Sequence, residues 1–478
     1  MVFSSIEFLW FFMPLVLAAY VVLPPRARNL LLALVSVVFY AWGAHAIVVV
    51  FLASIALNYV AGRLIGRYKS REREDVARRV MVGAIVVNLL ILFTWKYTVF
   101  AVEQLNGLLG VFSEDSAIPV PSILLPIGIS FFTFHGISYV VDVTRESAPP
   151  MRKLADYTQY MAFFPQLIAG PIVRYHQIDD QIRHPPPRSQ RLADIAEGFP
   201  RFALGLCKKV LVADQVAPIA DAAFSDPSGL TFTGAWIGAL AFTVQIYFDF
   251  SGYSDMAIGL ARMFGFRFPE NFDRPYSAVS MTDFWRRWHI TLSRWFRDYV
   301  YIPLGGSRVS QAVTVRNLLI IFLLVGFWHG AAWPFVLWGV YNGALLVFER
   351  LTGIATLPDE RLVALRRAAT FLLAVLGWVL FRSTDLGQAG DVYAAMFSFQ
   401  GGALPAALDE ALVAPAVAAL VFGLASALLP RDLVMGRVVQ GRWTGGPLAA
   451  RVAVVCLLPF AAITVAAGSF SPFLYFQF

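Results

Sequence analysis

Charge is scarce in this chain. Of its 478 residues only 14% are Asp, Glu, Lys or Arg, while 58% are hydrophobic. A water-soluble domain needs a polar shell and cannot hide that much apolar surface in one core, so the soluble classes are excluded. Cysteine is almost absent. Cys207 and Cys456 lie far apart in apolar stretches and give no disulfide framework. No Cys/His/Asp cluster has ligand spacing, so no metal is expected. Internal repeats, low-complexity tracts and a soluble domain are also lacking. The apolar N-terminus, MVFSSIEFLWFFMPLVLAAYVVLPPRARN, has no basic n-region and no small-residue cleavage site, so it reads as a retained first helix. The net charge of +7 does not point to nucleic acid. The basic residues sit in loops between apolar runs, where the positive-inside rule places them.

What is present is a succession of apolar runs of about 18 to 22 residues, the length at which a helix crosses a bilayer. They predict an all-α, polytopic transmembrane bundle of about 11–12 spans. The runs lie near 8–24, 30–43, 45–62, 80–101, 123–143, 200–222, 232–260, 312–331, 333–349, 368–382, 411–429 and 450–469. The chain reads as a single unit, 1–478, with N-terminal spans over 1–150, a core over 151–350 and C-terminal spans and a tail over 351–478. Arg26 and Arg28 follow the first span, and the loop RYKSREREDVARR (67–79) is strongly basic. The loop 103–121 has three acids and no base, and RESAPPMRK (145–153) is basic again. These loops agree on an N-terminus outside the cell, and an even number of spans returns the C-terminus to the same side.

Two stretches break the pattern. MAFFPQLIAGPIV (161–173) is too short and too rich in Pro and Gly for a span, and reads as a re-entrant or interfacial piece. NFDRPYSAVSMTDFWRRWHITLSRWFRDYVYIPLGGSR (271–308) is aromatic and basic together, as expected for short amphipathic helices at the cytoplasmic interface.

The run LVGFWHGAAWPFVLWG (324–339) carries His329, Trp328, Trp333 and Trp338 without any charge. An ionisable ring inside a span points to function. His289 lies in FWRRWHITLSRW and is the second candidate. His176 and His184 belong to a basic, solvated loop, and His45 to a turn. His135, inside a span, is expected to hydrogen-bond a neighbouring helix. Asp249 and Asp255, with Ser251 and Tyr253 between them, are two carboxylates in one apolar stretch. Pairing with Arg262 or with the WRRW arginines would fix the amphipathic segment against the core.

GFWHGAAWPFVLWG, DFWRRWHITLSRWFRDYVYIPLGG and FDFSGYSDMAIGLARMFGFRFPENFDRPY together resemble the membrane-bound O-acyltransferase family. The resemblance runs in order from LLPIGISFFTFHGISYVVDV through FFPQLIAGPIVR to the terminal FLYFQF, and the similarity is greatest to the bacterial branch that acetylates exported polysaccharides, such as alginate. His135 departs from it, since relatives carry an amide there. The resemblance implies that His329 is the essential intramembrane histidine and His289 the second one. It implies a cytoplasmic thioester donor, acetyl-CoA, with no tightly bound cofactor. It also implies partners: membrane lipid, a periplasmic acetyltransferase of the SGNH-hydrolase type, and polysaccharide synthase machinery in a bacterial inner membrane.

Transfer from a thioester to a hydroxyl asks for a base, and an imidazole serves. It asks for oxyanion donors, for which Trp328, Trp333 and Asn342 are nearest in sequence. Cations must face the donor phosphates, and Arg286, Arg287, Arg294 and Arg297 lie in the amphipathic segment. The tail SPFLYFQF (471–478) resembles the F-x-Y-x-x-F ending of the small partner peptide used by D-alanylating relatives. Tyr475 would then carry the acyl group in transit. Two other readings stay open at this point: a D-alanyl-type transferase with a carrier-protein donor, and a transporter or flippase lined by His329 and the Asp249–Asp255 cluster.

Overall fold

The computed structural model describes the whole chain apart from residues 1, 45–46, 112–116, 359–361, 428, 430–446, 468–472 and 475–478. Among the described residues the chain forms helices and loops with no strand. Among the described residues five helices are long and apolar enough to cross a membrane by length and composition alone: Pro25–Ala44, Val48–Lys69, Glu74–Lys96, Gln311–His329 and Val363–Arg382. Several other apolar runs become shorter helices, or helices covered largely by protein.

Two compact units emerge, the first built mainly from Phe12–Leu192 and the second mainly from Ala193–Met263 and Phe268–Phe478. The first unit contains α1 (Met13–Val22), α2 (Arg28–Ala44), α3 (Val48–Lys69), α4 (Glu74–Lys96), α5 (Thr98–Leu109), α6 (Ile129–Thr144), α7 (Leu154–Ala162), α8 (Phe164–Leu167) and α9 (Tyr175–Arg183). Helices α3 and α4 are joined by a reciprocal amide pair. Asn58 Nδ2 donates to Asn88 Oδ1 at 3.0 Å, and Asn88 Nδ2 returns a bond to Asn58 Oδ1 at 2.8 Å. Both asparagines are buried, as polar groups between membrane helices must be if they are to find partners. Helix α6 starts after Gly128, whose φ of 72° suits glycine, and every residue from Ile129 to Val143 is buried. The MAFFPQLIAGPIV stretch holds the end of α7, the short α8 and a buried irregular segment. Irregular backbone at depth is tolerable where protein covers it, as the sequence led us to expect. Arg28 departs from its expected role as a loop charge. It is buried, with its guanidinium 4.1 Å from the Phe266 ring centre and Nη2 donating to the Gln181 carbonyl.

The second unit contains α10 (Arg191–Lys208), a π turn (Lys209–Ala213), α11 (Asp214–Ser225), α12 (Phe232–Met263), α13 (Met281–Arg287), α14 (Ile290–Phe296), α15 (Gln311–His329), α16 (Trp333–Thr352), α17 (Val363–Arg382), α18 (Leu386–Phe397), α19 (Ala406–Ala411), α20 (Ala414–Ser426) and α21 (Pro447–Ala466). Helices α10 and α12 touch through two glycine pairs spaced by a heptad. A Cβ on Gly198 would sit 2.4 Å from the Gly259 carbonyl oxygen, and one on Gly205 would sit 2.4 Å from that of Gly252. Small residues let backbones approach this closely, which is how helices associate where no hydrophobic drive separates them from lipid.

That close seam carries the charges. Arg201 on α10 meets Asp255 at 2.6 Å and Glu270 at 2.7 Å, and Lys208 meets Asp255 at 2.7 Å. Lys209 bridges Asp214 at 2.6 Å and Asp249 at 2.8 Å. Asp249 and Asp255 therefore fix architecture, but through other cations than the expected ones. Arg262 is taken by Asp194 and Glu197, both at 2.7 Å, and Arg287 by Asp283. The glycine seam brings α10 and its π turn within reach of α12, and that proximity decides the pairing.

Candidate active site

Helix α15 ends on His329, and α16 turns back from Trp333. The two pack at glycines: a Cβ on Gly326 would meet the Phe335 carbonyl oxygen at 2.4 Å, and one on Gly339 that of Phe322 at 2.4 Å. This hairpin fixes the height of His329. Its ring is buried and boxed by three aromatics, each at a steep angle. Trp328 lies 4.9 Å away centre to centre, Trp338 5.2 Å and Phe381 5.1 Å. Edge-to-face packing of this kind orients a ring better than parallel stacking does. Behind the box, Trp378 Nε1 donates to the Tyr276 hydroxyl at 3.1 Å, which in turn donates to the Thr243 carbonyl at 2.7 Å.

His289 reaches the same place from a different element. It sits between α13 and α14 with φ 42° and ψ 53°, a left-handed conformation that costs an L-residue about 1–2 kcal/mol. The amphipathic segment is held by specific bonds that tolerate this. Glu349 on α16 accepts from the backbone N–H groups of Met281 at 2.6 Å and Thr282 at 2.8 Å, a carboxylate on the N-terminus of α13. Asn271 accepts at its Oδ1 from the Thr291 hydroxyl at 2.7 Å and backbone N–H at 3.3 Å. The same oxygen lies 3.1 Å from His289 Nδ1. An amide oxygen only accepts, so Nδ1 carries the proton and Nε2 the lone pair. Phe250 of α12 packs its ring against His289 at 4.7 Å and 88°.

The two histidines share a neighbour. The Trp328 ring lies 6.3 Å from that of His289 and 4.9 Å from that of His329. Fully buried His289 is not the interfacial residue that its basic neighbourhood suggests.

The remaining expected residues divide. Asn342 is buried, accepts from Trp285 Nε1 at 3.3 Å and donates one Nδ2 hydrogen to the Trp338 carbonyl at 2.9 Å. Trp333 is 52% exposed at the start of α16, and the indole on the far side of His329 is Trp338 instead. Helical geometry explains the difference, because Trp338 lies five residues on, roughly 140° around α16 from Trp333. Arg287 pairs with Asp283 at 2.8 Å and Arg297 with Asp298 at 2.7 Å, while Arg286, Arg294 and Arg297 are exposed. Tyr475, Phe476 and Phe478 lie outside the described residues, as does His45. Phe473 and Leu474 are described and buried.

The other histidines are quiet. His176 Nδ1 lies 2.9 Å from Asp142, and His184 Nδ1 2.8 Å from Asp180 on the same helix. His135 departs from expectation: it is buried in α6, yet neither ring nitrogen has a hydrogen-bond partner among the described residues. Asn271, Glu349, Phe250 and Phe381 went unnoticed in the sequence. Glu349 alone offered a signal, as an acid at the end of an apolar run.

Comparison with known proteins gives the family. The family model described as the membrane-bound O-acyltransferase family matches residues 43–358. A protein of Azotobacter vinelandii named "Probable alginate O-acetylase AlgI" is 44% identical over the full length of both chains. A peptidoglycan O-acetyltransferase of Helicobacter pylori is 35% identical, covering 84% of this chain and 81% of its own. A teichoic acid D-alanyltransferase of Streptococcus thermophilus is 27% identical over 54% of this chain and 69% of its own. These matches set the transporter reading aside. With two buried histidines meeting on one tryptophan inside a helical membrane bundle, the chain belongs to the membrane-bound O-acyltransferase family and is an acyltransferase of the membrane.

Proposed function

We propose that the protein moves an acetyl group from cytoplasmic acetyl-CoA across a bacterial inner membrane for O-acetylation of an exported polysaccharide. The observation that carries this reading is the shared contact of His289 and His329 with Trp328. Acetyl is favoured over D-alanyl because the relative named for alginate O-acetylation matches the whole chain, and the D-alanyltransferase only about half of it.

In the proposed step His329 takes the proton from an attacking hydroxyl. The hydroxyl oxygen bonds to the thioester carbonyl carbon, giving a tetrahedral oxyanion. Trp328 is the indole donor beside both histidines. Trp333 is too exposed for that role, and one of the two Asn342 Nδ2 hydrogens is held by the Trp338 carbonyl. Collapse breaks the carbon–sulfur bond, and the thiolate leaves with the proton from His329. His289, with Nδ1–H directed at Asn271, presents Nε2 on the donor side. Arg286, Arg294 and Arg297, exposed, and half-buried Arg287 are the cations this reading sets against the donor's phosphates.

The attacking hydroxyl is that of Tyr475, which follows Leu474 in sequence. A phenol, with a pKa near 10, makes a better leaving group than an alkoxide when the acetyl is handed on. It would pass the ester to an SGNH-hydrolase-type periplasmic acetyltransferase working beside the polysaccharide synthase machinery. Both chain ends lie on the outer side in this reading.

His329→Ala is expected to lower acetyl transfer from acetyl-CoA by about 10²- to 10⁴-fold while the protein still inserts and elutes as wild type. Full transfer by that variant would remove the base. Tyr475→Phe deletes one oxygen and should abolish polymer acetylation; wild-type acetylation would reduce the tail to an anchor.

A further inference from the structure

We infer that α12 carries a built-in peptide-binding site, formed by Asp249, Phe250 and Tyr253, whose ligand is the chain's own C-terminal segment docked through Phe473 and Leu474. Asp249 is then a positioning residue that holds this segment beside His289. The role in catalysis rests on the acyl-transfer reading above, but the dock itself does not.

The recognition uses both backbone and side chain. Asp249 Oδ2 accepts the backbone N–H of Leu474 at 3.0 Å, while Oδ1 faces Lys209 Nζ at 2.8 Å. Lys209 also serves Asp214, so one ammonium answers two buried carboxylates. The second carboxylate oxygen of Asp249 is left to find another partner in the buried seam, and the donor arriving from the tail supplies it. The Phe473 ring stacks on Tyr253 at 4.5 Å and 28°. On that same tyrosine Phe3 stacks at 4.6 Å and 18°. Phe473 also lies 5.9 Å from Phe250, the ring packed edge-on against His289. Phe473 is 1% and Leu474 6% exposed, so the pair is seated as deeply as the core. A charge-assisted bond to the main chain with an apolar side chain beside it is how folded proteins hold an extended peptide. From that seat the tail reaches the catalytic histidine through one intervening ring.

Two substitutions at one position separate the bond from the bulk. Leu474→Pro removes the N–H and leaves the Asp249–Lys209 pair intact, whereas Leu474→Ala keeps the donor. Acetyl transfer should be about tenfold or more lower in the proline variant than in the alanine variant, the effect of losing one hydrogen bond to a charged group. Equal activity of the two would overturn the positioning role. Hydrogen exchange of the C-terminal peptide in detergent reads the dock without reference to catalysis. Exchange should be slow in the wild type and at least about tenfold faster in Phe473→Ala. Equal exchange would overturn the dock, even if His329→Ala had already confirmed the acyl-transfer reading. Slow exchange in the wild type with no acetyl transfer at all would keep the dock and remove the reading it serves.

Discussion

The Nδ1 of His289 lies 3.1 Å from the Oδ1 of Asn271, and that oxygen also receives both hydrogen-bond donors of Thr291. One amide thus sets the tautomer of the ring and the start of α14 together. The left-handed backbone at His289 turns the ring inward, and Asn271 keeps it there.

Asn271→Ala is expected to lower acetyl transfer by about 10- to 100-fold, as when a ligand loses the partner that orients it. Asn271→Ser, which keeps a shorter acceptor, should recover part of the loss. Purified protein and labelled acetyl-CoA provide the assay. An alanine variant as active as wild type would show that the tautomer is set in another way.

Asp255→Ala leaves Arg201 and Lys208 without their shared carboxylate in the α10–α12 seam. Arg201 keeps Glu270, but Lys208 loses its carboxylate and positive charge is left in excess in the seam, so thermal unfolding in detergent should come at a lower temperature. Lys208→Met should be much milder, because that side chain is 17% exposed and Arg201 still satisfies the carboxylate. Similar losses in both variants would contradict the ranking.

Gly326→Val should separate α15 from α16, since its Cβ would press on the Phe335 backbone rather than on a flexible side chain. Activity should vanish with the aromatic box around His329. Gly83→Ala makes the contrast: no atom lies within 4 Å of a Cβ there, and the change in an α4 interior should stabilise by up to about 1 kcal/mol. Unfolding curves for the two variants decide it.

The proposed orientation is tested with single cysteines. Gly107→Cys, in an open position on α5, should react with a membrane-impermeant reagent in intact spheroplasts. Arg71→Cys, in the basic loop, should react only after lysis. The opposite pattern would exchange donor and acceptor sides.

The helices were legible because apolar runs of membrane length leave few alternatives, and His329 was legible as a titratable ring among tryptophans. The roles of Trp333 and Trp338 were not, because proximity in sequence says nothing about which face α16 turns inward. The partners of Asp249 and Asp255 were hidden for a related reason. Arg201, Lys208 and Lys209 approach only because glycines on two distant helices meet, and a seam of that kind has no local signature. Asn271 was equally silent, as an amide in a loop whose value comes from three donors converging on it.

Tyr253 is held between Phe3 and Phe473, rings from opposite ends of the sequence. A change at Phe3 is therefore felt at Phe473, and so at the seat beside His289, through the one ring they share.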